Sequence, residues 1–424
     1  KVTVIVMGVR SYVKLLFAIF LAIIWLFDGL ILNLIQFIAF VTIRPFSRTL
    51  FRRINYYLTY ASWSQLVALA EWWADSKLTM YFANEDTEKH FLKEHGLAVM
   101  NHRYEVDWLY GWLICDKYNS LGSAKTYAKK SLKWIPVIGW GWQFCEMIFL
   151  ERSWEKDSLI LANSIDTLLE YPHNFLLLLF AEGTRYTSEK YEASVQFAKQ
   201  RGLKPLKHHL QPRTRGFVFT INHSKDRLPA MYNVQLSFRH ASPSPNLTSI
   251  LKGNSIHGHA YFERIPLNTI PTDSEESIAQ FLYDLYQKKD QLTDYFNENG
   301  KFPGKVVVKE RRKAPLLNGI FSFGLIMSIF CYVLYSLYLS KSYTILVIVL
   351  SVYFAALFSV VFLIRSTKAK KGSSYGKIKG NSSPVSKTIE SCKGDDLSHR
   401  SNGSSLTAEV NDNENNAVEA KKDL

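Results

Sequence analysis

Two charge-free apolar runs, residues 316–339 and 343–364, are joined only by Ser340-Lys341-Ser342. Each is long enough to cross ~30 Å of hydrocarbon as a helix rising about 1.5 Å per residue, and few soluble cores hold helices of that kind. Residues 314–365 are therefore expected to form a transmembrane helical hairpin. Basic residues flank both outer ends: Lys309, Arg311, Arg312 and Lys313 before it, Arg365, Lys368, Lys370 and Lys371 after it. The preference for lysine and arginine on the cytosolic side then puts both ends in the cytosol.

A third apolar block, residues 15–43, is interrupted only by Asp28-Gly29. Its halves are each too short to span a bilayer. Either the whole block is one long tilted span, or Asp28-Gly29 turns the chain at mid-depth into a re-entrant hairpin. A cleaved signal peptide fits less well, because the block exceeds the usual apolar core and no small-residue cleavage site precedes Arg44. Residues 1–50 are read as an N-terminal membrane segment. From residue 366 to 424 the chain is rich in Ser, Asn, Lys and Asp, with too little apolar surface to offset its ordering entropy, which predicts a disordered cytosolic tail. It ends in Lys421-Lys422-Asp423-Leu424, which resembles a di-lysine retrieval signal of the endoplasmic reticulum; a chance pair of lysines is the other reading.

Lys and Arg outnumber Asp and Glu by 51 to 37, a formal charge of +14. That excess suits anionic partners, and the apolar spans favour lipid and CoA phosphates over nucleic acid. Four cysteines, Cys115, Cys145, Cys331 and Cys392, lack CxxC spacing, so no disulfide framework or zinc site is expected.

Residues 51–310 alternate short apolar runs with amphipathic stretches, the pattern of a cytosol-facing α/β domain. Residues 96–100 and 174–180 read as buried strands. Residues 158–170 read as a helix whose stripe is Leu159, Leu161, Ile165, Leu168 and Leu169. The first strand runs into Asn101-His102-Arg103-Tyr104-Glu105-Val106-Asp107, and the second into Ala181-Glu182-Gly183-Thr184-Arg185. Ligands of open α/β sheets bind at strand C-termini, so the two motifs can face one site.

His102 is the candidate general base, since an imidazole titrating near ~6.5 suits removal of a hydroxyl proton. Asp107 is its candidate partner, able to fix the tautomer and stabilise the imidazolium. Residues five apart on one helix point roughly 140° away from each other, so the pair can meet only where the chain bends. No serine or cysteine nucleophile accompanies the histidine, and a substrate alcohol is the expected attacker. Glu182, Gly183, Thr184 and Arg185 combine backbone access, a hydroxyl and a phosphate-gripping guanidinium. Arg152 and Lys130 add charge beside apolar runs, so the set can match an amphiphile with one phosphate head.

The block at 101–107, Phe149-Leu150-Glu151-Arg152, the block at 180–185 and the Lys130, Pro136, Gly139 pattern follow the order found in the glycerolipid acyltransferases of the bacterial PlsC type, which residues 50–305 resemble. Glu71-Trp72-Trp73, residues 132–140, Pro212-Arg213-Thr214-Arg215-Gly216-Phe217 and the C-terminal hairpin look like the animal 1-acylglycerol-3-phosphate acyltransferases of the gamma and delta kind. The resemblance implies a mixed α/β sheet with helices, His102 as base with Asp107, and acceptor binding by Arg152, Glu182, Gly183 and Arg185. It also implies acyl-CoA as co-substrate with no resident cofactor, lysophosphatidic acid as acceptor, and residence in the endoplasmic reticulum membrane. The family's fourth motif appears only as Leu228-Pro229-Ala230-Met231-Tyr232-Asn233-Val234, a departure from its usual form. A metal-dependent hydrolase is disfavoured, because His208-His209 and His257-Gly258-His259 have no acidic partners at helical metal-site spacing. A silent lipid-binding scaffold would leave the His102, Asp107 and Glu182 to Arg185 set unexplained.

Overall fold

The computed structural model describes residues 2–151, 154–239 and 243–341, with positions 343–345, 347–349, 351, 352, 354, 355 and 358 beyond them. Eight strands form one mixed sheet: β1 (Lys77–Phe82), β2 (Gly96–Met100), β3 (Lys125–Lys129), β4 (Ile148–Leu150), β5 (Leu176–Leu179), β6 (Ala230–Phe238), β7 (His257–Pro266) and β8 (Lys305–Val307). Their order across the sheet is β4-β3-β5-β2-β6-β7-β1-β8. The strands from β4 to β6 run parallel, while β7 is antiparallel to β6 and β8 to β1.

Alternation along β2 divides the core in two. Ala98 and Met100 face one layer with Trp63, Val67, Leu109 and Leu113 of the helices Arg48–Ala68 and Asp107–Lys117. Leu97 and Val99 face the other, against the helices Trp154–Leu169, Thr214–Ser224 and Glu275–Asn299. The helix expected over 158–170 thus begins four residues earlier, and its buried stripe is Leu161, Ile165 and Leu168. Leu159 is 74% exposed, because it lies about 200° around the helix from Leu161.

The N-terminal apolar block resolves into a single continuous helix, Val2–Thr42. Asp28-Gly29 does not turn it. Asp28 is buried and accepts a hydrogen bond from Gln65 Nε2, which also donates to Ser322 Oγ at 3.2 Å. Asn318 Nδ2 adds bonds to the Ala61 carbonyl and Ser64 Oγ at 2.7 and 3.0 Å. The N-terminal helix, the helix Arg48–Ala68 and the helix Lys313–Ser340 therefore share a polar clasp within an otherwise apolar bundle. A carboxylate in such a place is held by internal hydrogen bonds and need not break the helix. Leu16–Thr42 and Lys313–Ser340 are each long and apolar enough to cross a membrane. The second run of the expected hairpin lies largely outside the described residues, and the tail wholly so.

Candidate active site

Strands β2 and β5 are parallel neighbours, so their C-terminal ends carry the two motifs to one place. After Met100 the chain leaves the sheet, turns through residues 101–106 and enters the helix at Asp107. That bend gives His102 and Asp107 the approach a continuous helix would deny: His102 Nδ1 lies 3.1 Å from Asp107 Oδ2. The same oxygen accepts from the backbone N–H groups of Arg103 and Tyr104, both at 2.9 Å. Asp107 is fully buried, and burial pushes its carboxyl above the ordinary carboxylate range against the opposing effect of these bonds. Three donors on one oxygen favour the ionised form and fix Nδ1 as the protonated nitrogen of neutral His102. The ring stacks on Phe180, centroid to centroid 4.1 Å, and lines a cavity of about 530 Å³.

The cavity has two characters. At its mouth stand His102, Gly183, Thr184, Arg185, Lys129, Lys190, Arg213 and Arg215. Deeper, between the sheet and the helix Asp107–Lys117, the wall is apolar: Ala98, Met100, Leu176, Leu178, Phe91 and Phe262. The helix contributes Trp108, Gly111, Trp112 and Cys115, one face at helical spacing. Phe91 and Leu92 precede β2 and His102 follows it, so the cavity extends along the strand, a length of roughly 17 Å.

Glu182 sits elsewhere than in the cavity wall. It is buried, its Oε1 accepting from His102 N at 2.8 Å and its Oε2 from Leu210 N at 3.2 Å. Burial pushes its pKa up to about 8 despite those bonds. Gly183 has φ +70°, and a Cβ there would come 2.9 Å from Arg213 Cδ, so both conformation and space require glycine. Thr184 Oγ1 accepts from Lys190 Nζ at 2.7 Å, and that ammonium also donates to the Arg185 carbonyl at 3.1 Å. Lys130 pairs with Glu151, and it is the neighbouring Lys129 that lines the cavity. Arg152 lies outside the described residues. Lys190, Arg213 and Arg215 were not singled out as site residues from sequence, although the Arg213-Thr214-Arg215 run carried a signal. His208 and His209 have acidic partners after all, Asp294 and Asp290, which sequence spacing did not show because they come from a helix some eighty residues later.

Two family models match the chain: "Acyltransferase" over residues 82–226 and "Acyltransferase C-terminus" over residues 249–322. The first spans both motifs at the cavity mouth. Among curated proteins, 1-acyl-sn-glycerol-3-phosphate acyltransferase gamma of Mus musculus is 40% identical over 373 residues, covering 87% of this chain and 98% of the relative. The chain belongs to the 1-acyl-sn-glycerol-3-phosphate acyltransferase family. The delta protein of Rattus norvegicus is also 40% identical, over 351 residues covering 83% of this chain and 92% of its own length. The crystal structure of the PlsC acyltransferase of Thermotoga maritima matches with a TM-score of 0.42 and 15% identity, covering 68% of this chain and 97% of that one. As a member of the acyltransferase family the chain is an enzyme, and its two motifs converge on one cavity.

Proposed function

We propose that the enzyme moves an acyl group from acyl-CoA to the sn-2 hydroxyl of 1-acyl-sn-glycerol 3-phosphate, giving phosphatidic acid. The observation that carries this reading is the His102–Asp107 pair at the junction between a cationic mouth and an apolar bore. The names of the relatives agree with it.

In this reading His102 Nε2 accepts the hydroxyl proton as the acceptor oxygen attacks the thioester carbonyl carbon. Asp107 stabilises the resulting imidazolium through Nδ1–H. The new C–O bond forms, the C–S bond breaks, and the imidazolium returns its proton to the departing CoA thiolate. Arg185, Lys129 and Arg215 at the mouth suit phosphate, which guanidinium and ammonium groups bind through charge-assisted hydrogen bonds. The apolar bore suits a fatty chain. No resident cofactor or metal takes part. A lysophospholipid with another headgroup is the alternative acceptor.

Two apolar helices support a multi-pass membrane protein, and the basic residues flanking the second, together with the terminal lysine pair, support an endoplasmic reticulum location with the catalytic domain and tail in the cytosol. The test is His102→Ala in microsomes supplied with labelled acyl-CoA and lysophosphatidic acid. Loss of ~10²-fold or more in turnover is expected; wild-type turnover would remove the base assignment.

A further inference from the structure

A second histidine–aspartate pair lies behind the first, outside the cavity. Asp290, on the helix Glu275–Asn299, is buried and accepts from His209 Nδ1 at 2.7 Å, from His208 N at 3.1 Å and from Lys207 N. His209 Nε2 in turn meets Gln235 Nε2 at 3.0 Å. One carboxylate thus gathers the backbone and one ring of residues 207–209. Neither ring lines the catalytic cavity.

The next residue is where this matters. Leu210 N donates to Glu182 Oε2, and Glu182 Oε1 accepts from His102 N. A second tie runs from Arg103 Nη1 to the His208 carbonyl at 3.2 Å. The strap 207–210 therefore touches the catalytic turn at two points, one on each side of the His102–Arg103 peptide link. Glu182 carries two bonds that fix its orientation; without the Leu210 amide, one oxygen of a buried carboxylate loses its only hydrogen-bonded partner among the described residues, and the carboxylate is free to rotate away from His102 N.

We propose that Asp290 is a positioning residue for the acyl transfer: it holds the strap 207–210, the strap orients Glu182, and Glu182 sets the backbone of His102. The segment matched by the C-terminal family model thereby contributes to a catalytic turn some 190 residues earlier in the chain. The proposal rests on His102 being the base, which His102→Ala tests separately: an active His102→Ala enzyme removes that assignment whatever Asp290 does.

The experiment is a double-mutant cycle on the purified full-length chain, with Asp290→Ala, Glu182→Gln and the double variant assayed on acyl-CoA and lysophosphatidic acid. Asp290→Ala is expected to lower kcat about tenfold or more while KM for each substrate stays within about twofold, because the cavity wall is untouched. If Asp290 acts through Glu182, the same substitution made in Glu182→Gln changes kcat by less than about threefold. Equal losses in the two backgrounds would overturn the proposal, as would a lowered melting temperature with unchanged kcat. Asp290→Asn, which keeps one acceptor oxygen and the side-chain shape, carries the same cycle if the alanine variant does not fold.

Discussion

Gly111 is the position at which the apolar bore can be shortened without touching the chemistry. It lies inside the helix Asp107–Lys117, lines the cavity, and a Cβ placed on it meets no atom within 4 Å. Gly111→Leu projects its whole side chain into that space. Leucine is also the better helix former by ~0.8 kcal/mol, so the variant should fold as well as the wild type or better. A leucine side chain displaces about four methylene groups of a bound chain, each worth ~0.8 kcal/mol on burial, so discrimination against the longest donors should reach ~3 kcal/mol, more than a hundredfold in kcat/KM. The assay is a series of saturated acyl-CoA donors from octanoyl to stearoyl at fixed lysophosphatidic acid. Long donors should lose specificity progressively while octanoyl-CoA stays within about threefold of wild type. A uniform loss across the series, or none, would show that the donor chain does not lie along this helix.

Asp107→Asn is expected to cost ~10²-fold or more in kcat with little change in KM, since the pair then lacks the charge that stabilises the imidazolium; steady-state kinetics decide it. Arg185→Ala should raise KM for the acceptor about tenfold or more, whereas Lys130→Ala, removing an ammonium already paired with Glu151, should change it less than about threefold. The carboxyl of Glu182 binds its proton more tightly in the folded chain than in the unfolded one, so its contribution to stability is full below about 4.5 and is lost as pH rises through about 8. Between pH 6 and 9 the melting temperature of the wild type should therefore fall further than that of Glu182→Gln; parallel curves would refute the burial argument. Activity should be indifferent to EDTA, and Asn222 and Asn246 should carry no glycan if the domain faces the cytosol, which a glycosidase shift assay reads.

The parts of this fold that were legible in the sequence are those where periodicity and motif agree. Residues 96–100 are five consecutive buried positions and form β2 over that same range, because a strand covered on both faces leaves an unbroken apolar run. The meeting of His102 with Asp107 was legible as a requirement for a bend, and the bend is there. What stayed hidden depends on contacts made across the chain. Asp28-Gly29 looked like a break because a carboxylate in an apolar run is costly alone; its partner Gln65 comes from another helix. Leu159 counted toward the buried stripe because leucine was weighed without its helical phase. Glu182 read as a ligand contact from its motif, yet its oxygens serve two backbone amides that no local pattern reveals. Lys129 and Lys130 are adjacent and chemically equal, and only the register of β3 puts the first at the cavity.

The polar clasp of Asp28, Gln65 and Ser322 also sets an order of events during synthesis. Its first member leaves the ribosome nearly three hundred residues before its last, a delay on the order of tens of seconds at ordinary elongation rates. Over that interval Gln65 alone must quiet a carboxylate among lipid tails, and the bundle closes only when Ser322 arrives. A nascent chain stalled just short of that serine is thus the form most exposed to quality control.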